Sequence, residues 1–188
     1  MSSVSSGGTM SRLNPSNNQR SEVTLRSDLR PGDIGRIVYL HGRIYSREYG
    51  YDHTFETYVA APLSKFADSP SPRERLWIAE RGERIVGCVA IVSAAPDESN
   101  VDEAVDVAQL RWFLVRPDSR GAGIGRRLLN EAVHFSKAAG YGSIVLWTVS
   151  ALEAAAHLYR SAGFRKIEEK AGRPWGVDVV EEKYEMII

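Results

Sequence analysis

Residues 109–132 read QLRWFLVRPDSRGAGIGRRLLNEA. An apolar strand-like run leads into a loop holding Arg120, Gly121, Gly123 and Gly125, and an amphipathic helix begins directly behind it. Glycines let the main chain approach an anion closely, and a helix start offers unpaired N–H groups with partial positive charge, so diphosphate is the natural ligand of such a loop. A P-loop requires Lys and then Ser or Thr after its last glycine, whereas Arg126 and Arg127 follow Gly125 here. A dinucleotide fingerprint requires G-x-G-x-x-G and an acidic residue about 20 positions later at a strand end. This loop is G-x-G-x-G, and that distance lands in SIVLW. Both nucleotide readings fail.

The flanking chain continues in the same alternating manner. VAQLRWFLV (107–115) reads as a strand, and 123–140 has helical periodicity through Leu128, Leu129, Ala132, Val133 and Phe135. SIVLWTV (143–149) is a further strand and LEAAAHLYRSAG (152–163) a further helix, with FRKIEE (164–169) and VVEEKYEMII (179–188) as closing strands. Upstream, LWIAER (76–81) and RIVGCVAIV (84–92) form an antiparallel hairpin around Gly82. EVTLR (22–26) is a short strand, and Pro31-Gly32-Asp33 opens a helix whose stripe Ile34, Ile37, Val38 runs on through His41, Tyr45 and Glu48 to a stop at Gly50. A second helix is expected from about Thr54 to Phe66, bent or interrupted at Pro62. Residues 1–20 are dominated by Ser, Asn and Gly and contain no aromatic side chain, so they read as a flexible tail ahead of one folded domain, 21–188. An acidic linker, PDESNVDEAVD, occupies 96–106.

Composition bounds the function. The 188 residues hold 24 Lys+Arg and 24 Asp+Glu, so no net field gathers nucleic acid or anionic lipid, and neither is expected as a partner. The single Cys88 lies in an apolar run and reads as a small buried hydrophobe. No apolar stretch approaches the ~20 residues of a membrane span, and the N-terminus lacks a signal-peptide pattern, so a soluble cytoplasmic protein is expected. His41, His53, His134 and His157 show no paired zinc-ligand spacing, and no metal is expected. No GxSxG or reactive-cysteine context suggests a covalent enzyme intermediate.

The pattern R-x-x-G-x-G, preceded by a strand and Pro117 and followed by an amphipathic helix, resembles the acyl-CoA loop of the GNAT acetyltransferase superfamily. LWTVSALEAAAHLYRSAGF is similar to the family's following strand and helix with its A-x-x-L-Y-x-x-x-G-F ending, and the likeness runs from roughly Trp77 to Ile188. The segments GDIGRIVYLHGRIYSREYGYD, WIAERGERIVG and WGVD also resemble the acetyltransferase half of bacterial MarR–GNAT fusions. A winged-helix reader does not fit in 20 residues, so the regulatory half is expected to be absent.

The resemblance implies an α/β (α+β) GNAT fold: a central mixed, largely antiparallel sheet with splayed middle strands, flanked by helices. It implies acetyl-CoA as acyl donor, with pantetheine along the backbone of Phe113, Leu114 and Val115, an amide near Leu114 on the thioester oxygen, and diphosphate on the loop Arg120, Gly121, Ala122, Gly123, Ile124, Gly125 and Arg126. Tyr159 falls where the family carries a tyrosine beside the CoA sulfur, as general acid; the competing reading is a core aromatic. Leu152 stands where many members have asparagine. No glutamate occupies the fourth strand, so the general base is unassigned. His41, Tyr45 and Glu48 are candidates to line an acceptor pocket, and Glu80 and Asp178 are weaker ones. Arg111 pairs either with an acceptor carboxylate or with a structural one. The expected activity is N-acetylation of a primary amine on a small molecule by direct attack. The alternatives are acetylation of a protein or peptide amine and a non-catalytic acyl-CoA-binding module. Final strands of this family often pair across subunits, so a homodimer is possible.

Overall fold

The two apolar runs at 76–92 are buried at nearly every position, which puts them in the interior of a sheet with both faces covered. The computed structural model describes residues 22–69, 71–94 and 106–188, so the expected tail and nearly all of the acidic linker lie outside the described residues. In chain order the elements are β1 (Val23–Arg26), α1 (Asp33–Tyr49), α2 (Thr54–Asp68), β2 (Arg75–Arg81), β3 (Arg84–Ser93), β4 (Val107–Val115), α3 (Ile124–Ala138), β5 (Ser143–Val149), α4 (Glu153–Ala162), β6 (Arg165–Gly172) and β7 (Val179–Ile187). The seven strands form one sheet in the order β1-β2-β3-β4-β5-β7-β6, antiparallel throughout except for β4 against β5.

The sheet carries a core on each face. On one, Ile124, Leu128, Leu129 and Ala132 of α3 and Ala156 and Tyr159 of α4 pack on Val89, Ile91, Leu110, Ile144 and Leu146. On the other, Ile37, Leu40 and Ile44 of α1 and Phe55, Val59, Leu63 and Phe66 of α2 cover Ile78, Cys88, Ala90, Trp112 and Leu114.

Two boundaries differ from the sequence expectation. Helix α2 is unbroken at Pro62 and ends at Asp68, because its Phe55, Val59, Leu63 and Phe66 stripe is anchored on the sheet on both sides of the proline. Strand β6 runs to Gly172 although all its residues are exposed; the β7 ladder and the Lys166–Glu182 and Lys170–Glu181 pairs define it, rather than apolar alternation.

One corner of the fold is held by buried charge. Arg26 donates to both Asp33 and Glu80, each at 2.8 Å. Burial alone would raise the Asp33 pKa, but the hydrogen bonds from Arg26 and the Arg30 amide bring it below the ordinary range. For Glu80 the Arg26 hydrogen bond outweighs burial and lowers it as well.

Candidate active site

Strands β4 and β5 pair over only three positions, Val107–Gln109 against Ser143–Val145, and then part. From Leu110 to Val115 the β5-facing edge of β4 therefore has no strand partner, and it opens on a cavity of about 910 Å³. A bulge in β4 shapes that edge. Cys88 faces Leu114 and Ala90 faces Arg111, so β4 carries an extra residue at 112–113, and Trp112 adopts φ 49°. The Cys88 thiol donates to the Trp112 carbonyl at 3.0 Å, and burial pushes its pKa up to about 12, as expected of an inert core cysteine. The extra residue resets the side-chain alternation. Ala108 and Leu110 point to the α3/α4 face, while Trp112 and Leu114 join the α1/α2 core.

At the far end of the open edge lies the glycine loop. Gly121 and Gly123 have φ 78° and 76°, and a Cβ built on either would meet no atom within 4 Å, so the left-handed turn faces open space. Gly123 caps α3 with no side-chain hydrogen bond, leaving the first amides of the helix without a protein acceptor at the cap. Gly125 serves packing instead: its Cβ would sit 3.3 Å from Leu158 and 3.6 Å from Phe113. Phe113, Leu114, Val115, Arg120, Gly121, Gly123, Ile124, Gly125 and Arg126 all border the cavity, and Ala122 does not.

Arg120 and Glu48 stand differently from the sequence expectation. The Arg120 guanidinium is not open to an anion: its two terminal nitrogens grip the Glu48 carboxylate at 3.1 and 2.9 Å, and its Nε donates to the Val115 carbonyl at 3.2 Å. For the same reason Glu48 does not border the cavity, since its side chain is drawn sideways to the loop. Leu114 itself pairs with Cys88 of β3, and its neighbours Phe113 and Val115 border the cavity beside it.

Tyr159 is 4% exposed and packs against Phe113, Phe164 and Tyr184, yet it borders the same cavity. Its hydroxyl makes no hydrogen bond among the described residues. Burial, with smaller contributions from Tyr45 and Tyr184, holds its pKa well above the ordinary tyrosine value.

The opposite wall comes from α1, α2 and the turn before β7. His41, Tyr45 and Arg111 border the cavity, and Tyr49, Tyr51, Phe55, Tyr58 and Trp175 join them. His41 is buried, and its Nδ1 lies 2.9 Å from the Ile37 carbonyl. A carbonyl only accepts, so Nδ1 carries the proton and Nε2 presents its lone pair. Burial outweighs that hydrogen bond and lowers the ring pKa to about 4, which keeps it neutral. Trp175 reaches this wall because the Asp52 amide donates to its carbonyl at 3.1 Å, and Gly176 fits its φ 79° backbone against the Asp52 side chain. Arg111 lies 5.9 Å from the Tyr58 ring and 5.3 Å from the Trp112 ring, and no carboxylate pairs with it among the described residues. Glu80 is held in the Arg26 corner and Asp178 faces Arg173 at 3.5 Å; neither borders this cavity. Leu152 does.

Residues 41–164 match the model of the Acetyltransferase (GNAT) family. The chain belongs to that family. An N-acetyltransferase of Schizosaccharomyces pombe is 31% identical over 83% of this chain and 88% of its own length. N-acetyltransferase family 8 member 3 of Rattus norvegicus is 32% identical over 62% of this chain, which spans about half (52%) of that relative. Among solved structures, yncA of Salmonella typhimurium, determined with its cofactor acetyl-CoA, superposes with TM-score 0.70 at 15% identity over 88% of this chain and 93% of that one. GNAT acetyltransferases use acetyl-CoA, and the residues here fit it, because the open β4 edge supplies unpaired main-chain groups and the Gly121–Gly123 turn is an empty cradle before a helix start.

Within this GNAT acetyltransferase, sequence reasoning named Tyr45 and missed the other rings of the wall. Tyr45, Tyr49, Tyr51, Phe55 and Tyr58 do recur at short intervals in one stretch, and that recurrence was the available signal. Trp175 gave none, since only the fold brings it to Tyr51 (4.9 Å between centroids) and Phe55 (5.0 Å). Among the described residues no three His, Cys, Asp or Glu side chains form a group able to hold a metal ion, and no helix is long and apolar enough to cross a membrane.

Proposed function

We propose that this protein transfers the acetyl group of acetyl-CoA to a primary amine of a small molecule by direct attack. One observation carries the reading: the open edge of β4, the glycine cradle and the unpartnered Tyr159 hydroxyl all border a single cavity. Acetyl-CoA supplies the activated acyl carbon. The chain supplies the rest. The main chain at 113–115 aligns the pantetheine arm as a further strand, and amides of the loop from 121 to 126 receive the diphosphate. An amide beside Leu114 polarises the thioester oxygen, a contact that strengthens as charge develops there.

In the transfer, the amine nitrogen bonds to the acyl carbon as the carbon–sulfur bond breaks; one proton leaves nitrogen and one joins sulfur. Tyr159 is suited to give the second, because burial keeps its phenol protonated at neutral pH. An alkylamine of pKa about 10 is roughly one-thousandth neutral at pH 7. The proton that must leave it goes to solvent, because burial makes the neutral His41 ring too weak a base to hold it; Nε2 can accept a hydrogen bond from the neutral amine. We further place the protein in the cytoplasm, without nucleic-acid or membrane partners, and keep its kinship to the acetyltransferase half of MarR–GNAT fusions. A homodimer through the β6 edge is part of the same reading; sedimentation tests it.

The decisive experiment follows free thiol release from acetyl-CoA against a panel of amines for the natural protein and for Tyr159→Phe. The variant is expected to retain acetyl-CoA affinity and to lose about a hundredfold in kcat. Tight acetyl-CoA binding with no thiol release for any acceptor defeats the transferase reading in favour of a binding module.

A further inference from the structure

Three arginines border the cavity, Arg126 at the glycine loop and two others in opposite conditions. Arg120 has its fork filled by Glu48, and Arg111 has no carboxylate partner among the described residues. The bulge explains what surrounds Arg111. Alternation from Leu110 already puts Arg111 on the α1/α2 side, and the extra residue at 112–113 sends Trp112 to that side as well, so the guanidinium lies near the Trp112 and Tyr58 rings. A guanidinium against aromatic faces keeps its in-plane donors pointing outward, in the geometry that receives a carboxylate bidentately. From Tyr58 the rings continue without a break: Tyr58 to Phe55 at 6.0 Å, Phe55 to Tyr45 at 4.6 Å, Tyr45 to the neutral His41 at 6.1 Å. The Tyr51 hydroxyl, on this wall, is buried with no hydrogen-bond partner among the described residues.

We infer that the acceptor is an amino acid with an aromatic side chain, its carboxylate held by Arg111 and its ring laid against the wall formed by Tyr58, Phe55 and Tyr45. This deepens the acetyl-transfer reading and rests on it. A cation with no carboxylate partner among the described residues disfavours a purely cationic amine by like-charge repulsion and rewards a carboxylate, which a simple alkylamine lacks. A wall of edge and tilted rings rewards a flat apolar side chain beyond its buried area, which alanine lacks.

The test compares phenylalanine, phenethylamine and alanine as acceptors at subsaturating concentration. Phenylalanine is expected to exceed phenethylamine in kcat/KM by about thirtyfold, the worth of a charge-assisted hydrogen-bonded pair, and alanine by about tenfold. Arg111→Gln should collapse the first ratio, with Arg111→Lys, a charge without the fork, falling between. Equal use of phenethylamine and phenylalanine, or a loss in Arg111→Gln that strikes both alike, overturns the inference and leaves acetyl transfer standing. A binding arm separates the two failures. Calorimetry with CoA present should show N-acetylphenylalanine binding at least about tenfold tighter than N-acetylphenethylamine. That preference without any turnover would sustain the pocket and sink the transferase, and its absence without turnover would sink both.

Discussion

Gly123→Ala isolates what the loop does, because the fold contains a matched control. Gly123 and Gly140 have φ 76° and 78°, and a Cβ at either would meet nothing within 4 Å. Only Gly123 borders the cavity; Gly140 closes the far end of α3. An L-residue forced into the left-handed region costs about 1 kcal/mol, so both alanine variants should lose that much stability. In a chain of this size that lowers Tm by about 2–4 °C. The strain is common to both, so any difference in ligand affinity reports on occupied space. Acetyl-CoA binding followed by calorimetry should weaken at least tenfold in Gly123→Ala, about 1.4 kcal/mol, and should match the natural protein in Gly140→Ala. Equal affinity in all three proteins would refute the placement of diphosphate on this turn.

Arg26→Met removes the cation between two buried carboxylates and should cost about 3 kcal/mol at pH 7 in urea unfolding. The sign of its pH dependence also follows. In the natural protein the folded pKa values of Asp33 and Glu80 lie below their ordinary values, so their contribution is complete above the ordinary carboxylate range and is lost as pH falls through the lowered values. In the variant burial prevails and raises them, so lowering the pH from 7 to 5 should recover stability there and leave the natural protein flat. Glu48→Gln releases the Arg120 fork toward the loop and should tighten acetyl-CoA about threefold, within the range such an exposed pair is worth. Adding Arg120→Met should abolish that gain in the same calorimetric titration.

Signals that act over a few residues were legible in the chain. Gly121, Gly123 and the helix behind them declare an anion cradle because the conformations they permit are local properties. The hairpin at 76–92 declares itself because two β-rich runs flank a turn glycine. The Arg120–Glu48 pair was not legible, since the two residues are 72 positions apart and either alone reads as an available charge. The bulge at Trp112 was equally hidden, because a one-residue slip leaves no mark in the alternation of VAQLRWFLV until β3 supplies the register. Arg111 illustrates the intermediate case: its two possible partners could be named from sequence, and only the fold shows that no carboxylate among the described residues reaches it.

The three-position seam between β4 and β5 also bears on mechanical coupling. Strands β1 to β4 form one leaf and β5, β7 and β6 the other, and their direct backbone bonding is confined to one end. A ligand threaded along the vacant edge bridges the leaves where the ladder stops. Amide exchange at Val149 and the adjoining β5 residues should therefore slow when acetyl-CoA is present, so that the substrate knits the molecule it occupies.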